Sequence, residues 1–238
     1  MKINNTLIIS LLFCFLQPVL SARTNSFSGL SNSYSNLPDS VFESQLLYNG
    51  RIWKNLFYMI REDQFLFSNQ FLPGSVVIKG KSFNNIKLKY DIFKDEILIP
   101  YSPDGILQRT KELVDSFTIE FQNSKYRFAR IQDSTFNDLK GFAQVLYKGK
   151  TALFVKFTKK IDKPAIEGEY DKFYQITRIY FEKDNMIYPL TGKADLLKGL
   201  AEKKDQVRNF LKENKLTVTN KDPGSFIPAF VYFDQINQ

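Results

Sequence analysis

The chain has 238 residues, 43% of them hydrophobic and 15% aromatic, with a formal net charge of +8. That length supports one sizeable β domain, or a small domain plus an appendage. It contains no histidine and a single cysteine, Cys14, so Cys-His and Ser-His-Asp nucleophilic chemistry and the common zinc sites are all excluded.

In chain order, residues 1–22 read as an export signal. Lys2 supplies the positive start, Thr6 to Leu16 form an apolar run too short to span a bilayer comfortably, and small residues follow for cleavage after Ser21 or Ala22. Cys14 lies inside the apolar run, behind the bulky Phe13, so no lipid anchor is expected, and the exported chain has no thiol to form a disulfide. Residues 23–42 are Ser/Asn-rich with few apolar side chains and read as a flexible leader. A single β-rich domain is expected over 43–238, including a helical segment at 194–214.

Asn49-Gly50, between Leu46-Leu47-Tyr48 and Arg51-Ile52-Trp53, predicts a hairpin, because a type I′ turn needs two positive φ angles. Trp53, Phe57 and Tyr58 are expected to pack inward, and Phe65 to Phe67 to form a short strand. The clearest stretch runs from Gly74 to Pro100 and predicts three strands. Val76 and Ile78, then Ile86, Leu88, Tyr90 and Ile92, then Ile97 and Ile99 recur at period two, with turns expected at Asn84-Asn85 and Lys94-Asp95.

Further strands are expected at 106–109, 116–121, 126–131, 142–147, 151–158, 172–182 and 186–190. Thr110 is placed to cap one helical turn, and 133–140 reads as a loop. From Ala194 to Asn214, Leu196, Leu197, Leu200, Val207, Phe210 and Leu211 share one face, and Gly199 makes two short helices as reasonable as one. A last strand is expected at Phe230 to Phe233. The fold class is mainly β, an antiparallel meander forming a sandwich or small barrel, with a short C-terminal helical element.

Two carboxylate groups stand out. Asp91, Asp95 and Glu96 crowd two strand ends, and facing carboxylates can hydrolyse glycosides; turn formation and solvent exposure are the plainer reading. Glu167, Glu169 and Asp171 alternate, so an extended chain would present all three to calcium. They match no calcium-loop pattern, and solvation is the plainer reading. No phosphate-cradling glycine run is present, and no cofactor is expected.

The strings LYNGRIW at 47–53, DQFLFS at 63–68, the stretch 74–99 and DLLKGLAEKKDQVRNFLKENKL at 195–216 resemble a group of secreted Bacteroidota proteins. In that group a β-rich body with a Gly-x-Val…Leu-x-Tyr-Asp core precedes a short Lys-rich helical tail. The resemblance implies export and a β body, and supplies no catalytic residue.

The expectation is an exported, non-catalytic envelope protein, periplasmic or extracellular, binding or structural. Its partner would be another envelope protein or an anionic glycan. Nucleic acid is not expected, nor a transmembrane segment once the signal is removed. The alternatives are a carrier holding an apolar ligand inside the β-structure and a carboxylate-dependent hydrolase.

Overall fold

The computed structural model describes residues 46–101, 105–109, 114–132, 136–163 and 170–237. The expected signal and leader, the expected turn at Thr110 and the carboxylates Glu167 and Glu169 therefore lie outside the described residues. Among the described residues, eleven strands form one antiparallel sheet in the order β1-β5-β4-β3-β2-β6-β7-β8-β9-β10-β11. They are β1 (Arg51–Ile52), β2 (Leu72–Ile78), β3 (Lys81–Asp91), β4 (Glu96–Tyr101), β5 (Gly105–Arg109), β6 (Ser116–Phe121), β7 (Ser124–Ile131), β8 (Gly141–Lys148), β9 (Ala152–Asp162), β10 (Lys172–Lys183) and β11 (Met186–Pro189). Helices α1 (Lys193–Gly199), α2 (Lys204–Glu213) and α3 (Ile227–Ile236) follow. This is the mainly β, antiparallel architecture with short C-terminal helices that the sequence predicts. The sheet is open: β1 and β11 are its edges and do not pair with each other, so it does not form a barrel.

The central stretch behaves as period two requires. Val76, Ile78, Leu88, Tyr90, Ile92, Ile97 and Ile99 are all buried in one core with Phe117, Phe128 and Phe142. Tyr90, Phe117, Phe128 and Phe142 meet with centroids 4.6–5.9 Å apart, mostly edge to face. Each such ring removed from water stabilises the fold by roughly 2–3 kcal/mol. The sheet curls around this cluster. Lys159 N donates to Ile92 O, and the segment Arg61 to Phe67 bridges the end of β3 to the start of β10 through Phe65↔Asp91 and Arg61↔Lys172.

The first half of β9, Ala152 to Lys156, is buried on both faces. Leu153 joins Phe181 and the helices in a second core, whereas Phe154 joins Tyr180 in a third. α1, α2 and α3 cover the second core through Leu196, Val207, Leu211, Phe230 and Phe233. The helical region divides into two helices after Gly199, and the backbone there lies against the Phe181 ring; an added Cβ would fall 2.1 Å from Phe181 Cζ.

Several local expectations are overturned. No hairpin forms at Asn49-Gly50: residues 46–48 are helical, and Arg51 and Ile52 pair with Gln108 and Leu107 of β5. Pairing with a distant strand decides this segment, not its own turn chemistry. Tyr58 points into solvent, while Trp53 and Phe57 are half-buried. Phe65 makes only an isolated bridge, because the chain turns at Phe67, where φ is +67°. The first turn of the meander falls at Lys79-Gly80, both at positive φ. Asn85, at φ +56°, sits inside β3 where the register with β2 shifts, so its left-handed tolerance serves a bulge. Phe230 to Phe233 is helix, part of α3 with Pro228 in the first turn, where its missing N–H costs nothing. Ala229, Phe230 and Phe233 face the core from that helix.

Candidate functional site

The candidate carboxylates meet at the β3–β4 hairpin, and the structure separates them. Asp91 and Glu96 are cross-strand partners, so their side chains leave the same face of the sheet. Asp95 occupies the turn between them at φ +61° and sends its carboxylate to the opposite face.

On that face Asp95 is saturated. Oδ1 accepts from Tyr90 Oη at 2.6 Å, and Oδ2 accepts from Lys156 Nζ at 3.1 Å and from Phe142 N at 3.2 Å. Lys156 Nζ also donates to Phe142 O at 2.8 Å and Lys140 O at 3.0 Å, so its three protons are all used. Gly141 lets the backbone come this close: its φ is +93°, and a Cβ would fall 1.7 Å from Asp95 Oδ2. Burial, then the charge and hydrogen bond of Asp95, push the Tyr90 hydroxyl well above its ordinary range. Here a carboxylate, an ammonium and a phenol hold β3, β8 and β9 together.

Asp91 is fully buried. Its Oδ1 accepts from Phe93 N and Lys94 N, both at 2.9 Å, which shapes the turn. Its Oδ2 has no hydrogen-bond partner among the described residues. Burial raises the carboxyl to about 6; the Glu96 charge adds to the rise, while the two backbone donors and Lys94 oppose it. An acid poised near neutrality beside a second carboxylate is chemically suited to proton transfer. The Phe65 backbone bridges to Asp91 directly, however, and Trp53 packs on the Phe65 ring with centroids 6.1 Å apart. Asp91 is thus buried beside that segment, while Glu96 is half-exposed.

The sequence singled out no residue of a second buried network. Asp234, on α3, accepts from Thr151 N and Thr151 Oγ1 and from Tyr147 Oη at 2.9 Å. Burial and this hydrogen bond raise the Tyr147 hydroxyl to about 12. Lys159 Nζ similarly donates to Phe65 O at 2.9 Å and to Asp63 Oδ1 at 3.2 Å, pinning the crossing segment. One signal for Lys156 was available: a lone cation inside the apolar run of β9, where burial demands a partner. Asp234 gave none, since its partners lie more than eighty residues away.

Of the calcium candidates, only Asp171 is described. Its main-chain oxygen accepts from Arg61 N at 2.8 Å. Among the described residues no group of three or more carboxylate, thiol or imidazole side chains is gathered to hold a metal. Surface depressions occur beside β10 and β11. One of about 320 Å³ includes Phe136, Thr177, Tyr180 and Leu190, and one of about 360 Å³ includes Lys183, Tyr188 and Glu202. Tyr90, Phe117, Phe128 and Phe142 pack against one another inside the first core. Among the described residues no helix is long and apolar enough to cross a membrane.

Comparison with protein-family models, with curated proteins and with solved structures finds no match to this chain.

Proposed function

We propose that the chain is an exported, non-catalytic envelope protein that works by binding a partner. The reading is carried by the segment before the body of the sheet, which holds four large apolar side chains in water. Ile52 is 60% exposed, Leu56 67%, Tyr58 77% and Met59 69%. A cluster of exposed apolar side chains on one short segment is a feature of contact surfaces. The buried charges support the same reading, because Asp95, Lys156 and Asp234 are consumed by internal bonds. Export is supported by the Lys2-led apolar run of residues 6–16.

The test has two parts. Fractionating cells that express the full chain should place it outside the cytoplasm with residues 1–22 removed. A photo-crosslinker at Lys54 should then give adducts in the envelope fraction, and these should vanish when Leu56, Tyr58 and Met59 are all changed to Asp. Retention in the cytoplasm, or adducts indifferent to the three substitutions, would defeat the proposal.

A further inference from the structure

The β10 strand is twelve residues long and pairs with β9 along Lys172–Glu182. On its other side it is covered only at the ends, among the described residues. Phe173 N donates to Arg61 O at 3.0 Å, Arg61 N donates to Asp171 O at 2.8 Å, and Ile179 O accepts from Leu190 N at 2.9 Å where β11 ends. Residues 171, 173 and 179 therefore direct their main-chain groups away from β9, and by alternation so do Gln175 and Thr177. The N–H and C=O of Gln175 and Thr177 have no partner among the described residues, and both residues are exposed or half-exposed at this edge. The open stretch from Tyr174 to Arg178 spans roughly 17 Å.

We propose that this gap receives an extended, acidic peptide segment of a partner protein as an added strand. The proposal rests on the binding-protein reading above and gives it a recognition mode. Four free main-chain groups supply the bonds of strand addition. The depression of about 320 Å³ lies at the Thr177–Ile179 end and offers room for a side chain of the incoming strand. Lys160, the cross-strand neighbour of the exposed Tyr174, is exposed and makes no ion pair among the described residues. Together with the net positive charge of the chain, which remains positive when Lys2 leaves with residues 1–22, it favours an acidic sequence. A second copy does not fit as a continuous strand: its own β10 has twelve residues, and Arg61 and Leu190 close the gap at either end. A short segment that enters and leaves within about five residues is what the geometry admits.

The probe is a fluorescein-labelled peptide of alternating Glu and Val, added to the full chain and read by polarisation. Saturable binding is expected, with tenfold or greater weakening in a Lys/Val peptide. N-methylation of alternate peptide residues should weaken binding tenfold or more in one register and leave it unchanged in the other. Thr177→Pro removes an outward donor without touching the β9 ladder, because proline is tolerated where an edge N–H faces solvent; it should weaken binding tenfold or more. Hydrogen exchange on the unmodified chain gives a readout independent of any variant. The Gln175 and Thr177 amides should exchange fast alone and become protected with peptide, while Tyr174, Ile176 and Arg178 stay protected throughout. No binding at millimolar peptide, indifference to N-methyl register, or binding without protection at Gln175 and Thr177 would each overturn the proposal. The crosslinking at the Leu56–Met59 segment is a separate measurement. Its survival in the unmodified chain, alongside failure of that same chain to bind the peptide, would reject the added strand and leave the binding-protein reading standing.

Discussion

The β body and the helical cap are each fastened by a buried carboxylate, but the two solve the charge problem differently. Asp95 in the body faces an ammonium, Lys156, as well as a phenol and an amide. Asp234 in the cap is held by neutral donors, from Thr151 and Tyr147. Truncating the first strands a buried cation, whereas truncating the second leaves only unpaired neutral groups. The cost of losing a buried charge partner exceeds that of losing a hydrogen-bond acceptor. The body should therefore be the more fragile of the two to single substitutions.

The sharpest way to break that contrast is Asp95→Ala. It leaves Lys156 charged with only carbonyl partners and leaves Tyr90 Oη only Phe142 O, at 3.3 Å, and should cost about 3–5 kcal/mol of unfolding free energy in urea. Adding Lys156→Met should recover a large part of the loss. A double variant no better than the single one would show that charge is not what Asp95 supplies. Gly141→Ala strikes the same site through the backbone. Its Cβ would meet Asp95 Oδ2 at 1.7 Å and its φ is left-handed, so a loss of about 2–3 kcal/mol is expected by thermal denaturation.

Asp234→Ala should cost less, about 1–3 kcal/mol, and the loss should be local. Hydrogen exchange should speed up in α3 and in the turn between β8 and β9 while β3 and β6 keep their protection. Uniform acceleration would mean that cap and body unfold as one unit.

The body was legible from the sequence and the cap fastening was not, for physical reasons. Val76, Leu88, Tyr90 and Ile97 declare their face because strand side chains alternate, a property local enough to read residue by residue. Their turns were harder. Asn85 has the chemistry of a turn but serves a bulge, and Gly80 makes the bend. Phe230-Val231-Tyr232-Phe233 is a short apolar run that periodicity alone cannot assign, and its burial against Phe181 decides for helix. The carboxylates Asp91, Asp95 and Glu96 were noticed as a cluster, yet which face each takes depends on the left-handed φ of Asp95. The partners of Asp95 and Asp234 come from far along the chain, and no local pattern encodes such pairings.

The smallest expected effect sharpens the comparison from a third carboxylate, one that has neither cation nor full bonding. Asp91 is raised from 3.8 to about 6, so the folded state holds its proton more tightly than the unfolded chain does. Its contribution to stability is then fully present below the unfolded value near 4 and is lost as the pH rises through about 6. A rise of that size corresponds to roughly 3 kcal/mol at most. Asn at this position keeps an oxygen for Phe93 N and Lys94 N and turns an amide toward Glu96 in place of a second negative charge. Asp91→Asn should therefore raise stability by about 1 kcal/mol at neutral pH. It should also remove the component of the urea-unfolding profile that falls between about pH 4 and pH 6. A variant weaker than the parent at neutral pH, with that fall intact, would mean that Asp91 stays ionised there and that its buried oxygen is bonded in solution. Asp91 would then belong with Asp95 and Asp234 as a carboxylate kept charged by its bonds, and its nearness to Glu96 would carry no proton-transfer chemistry.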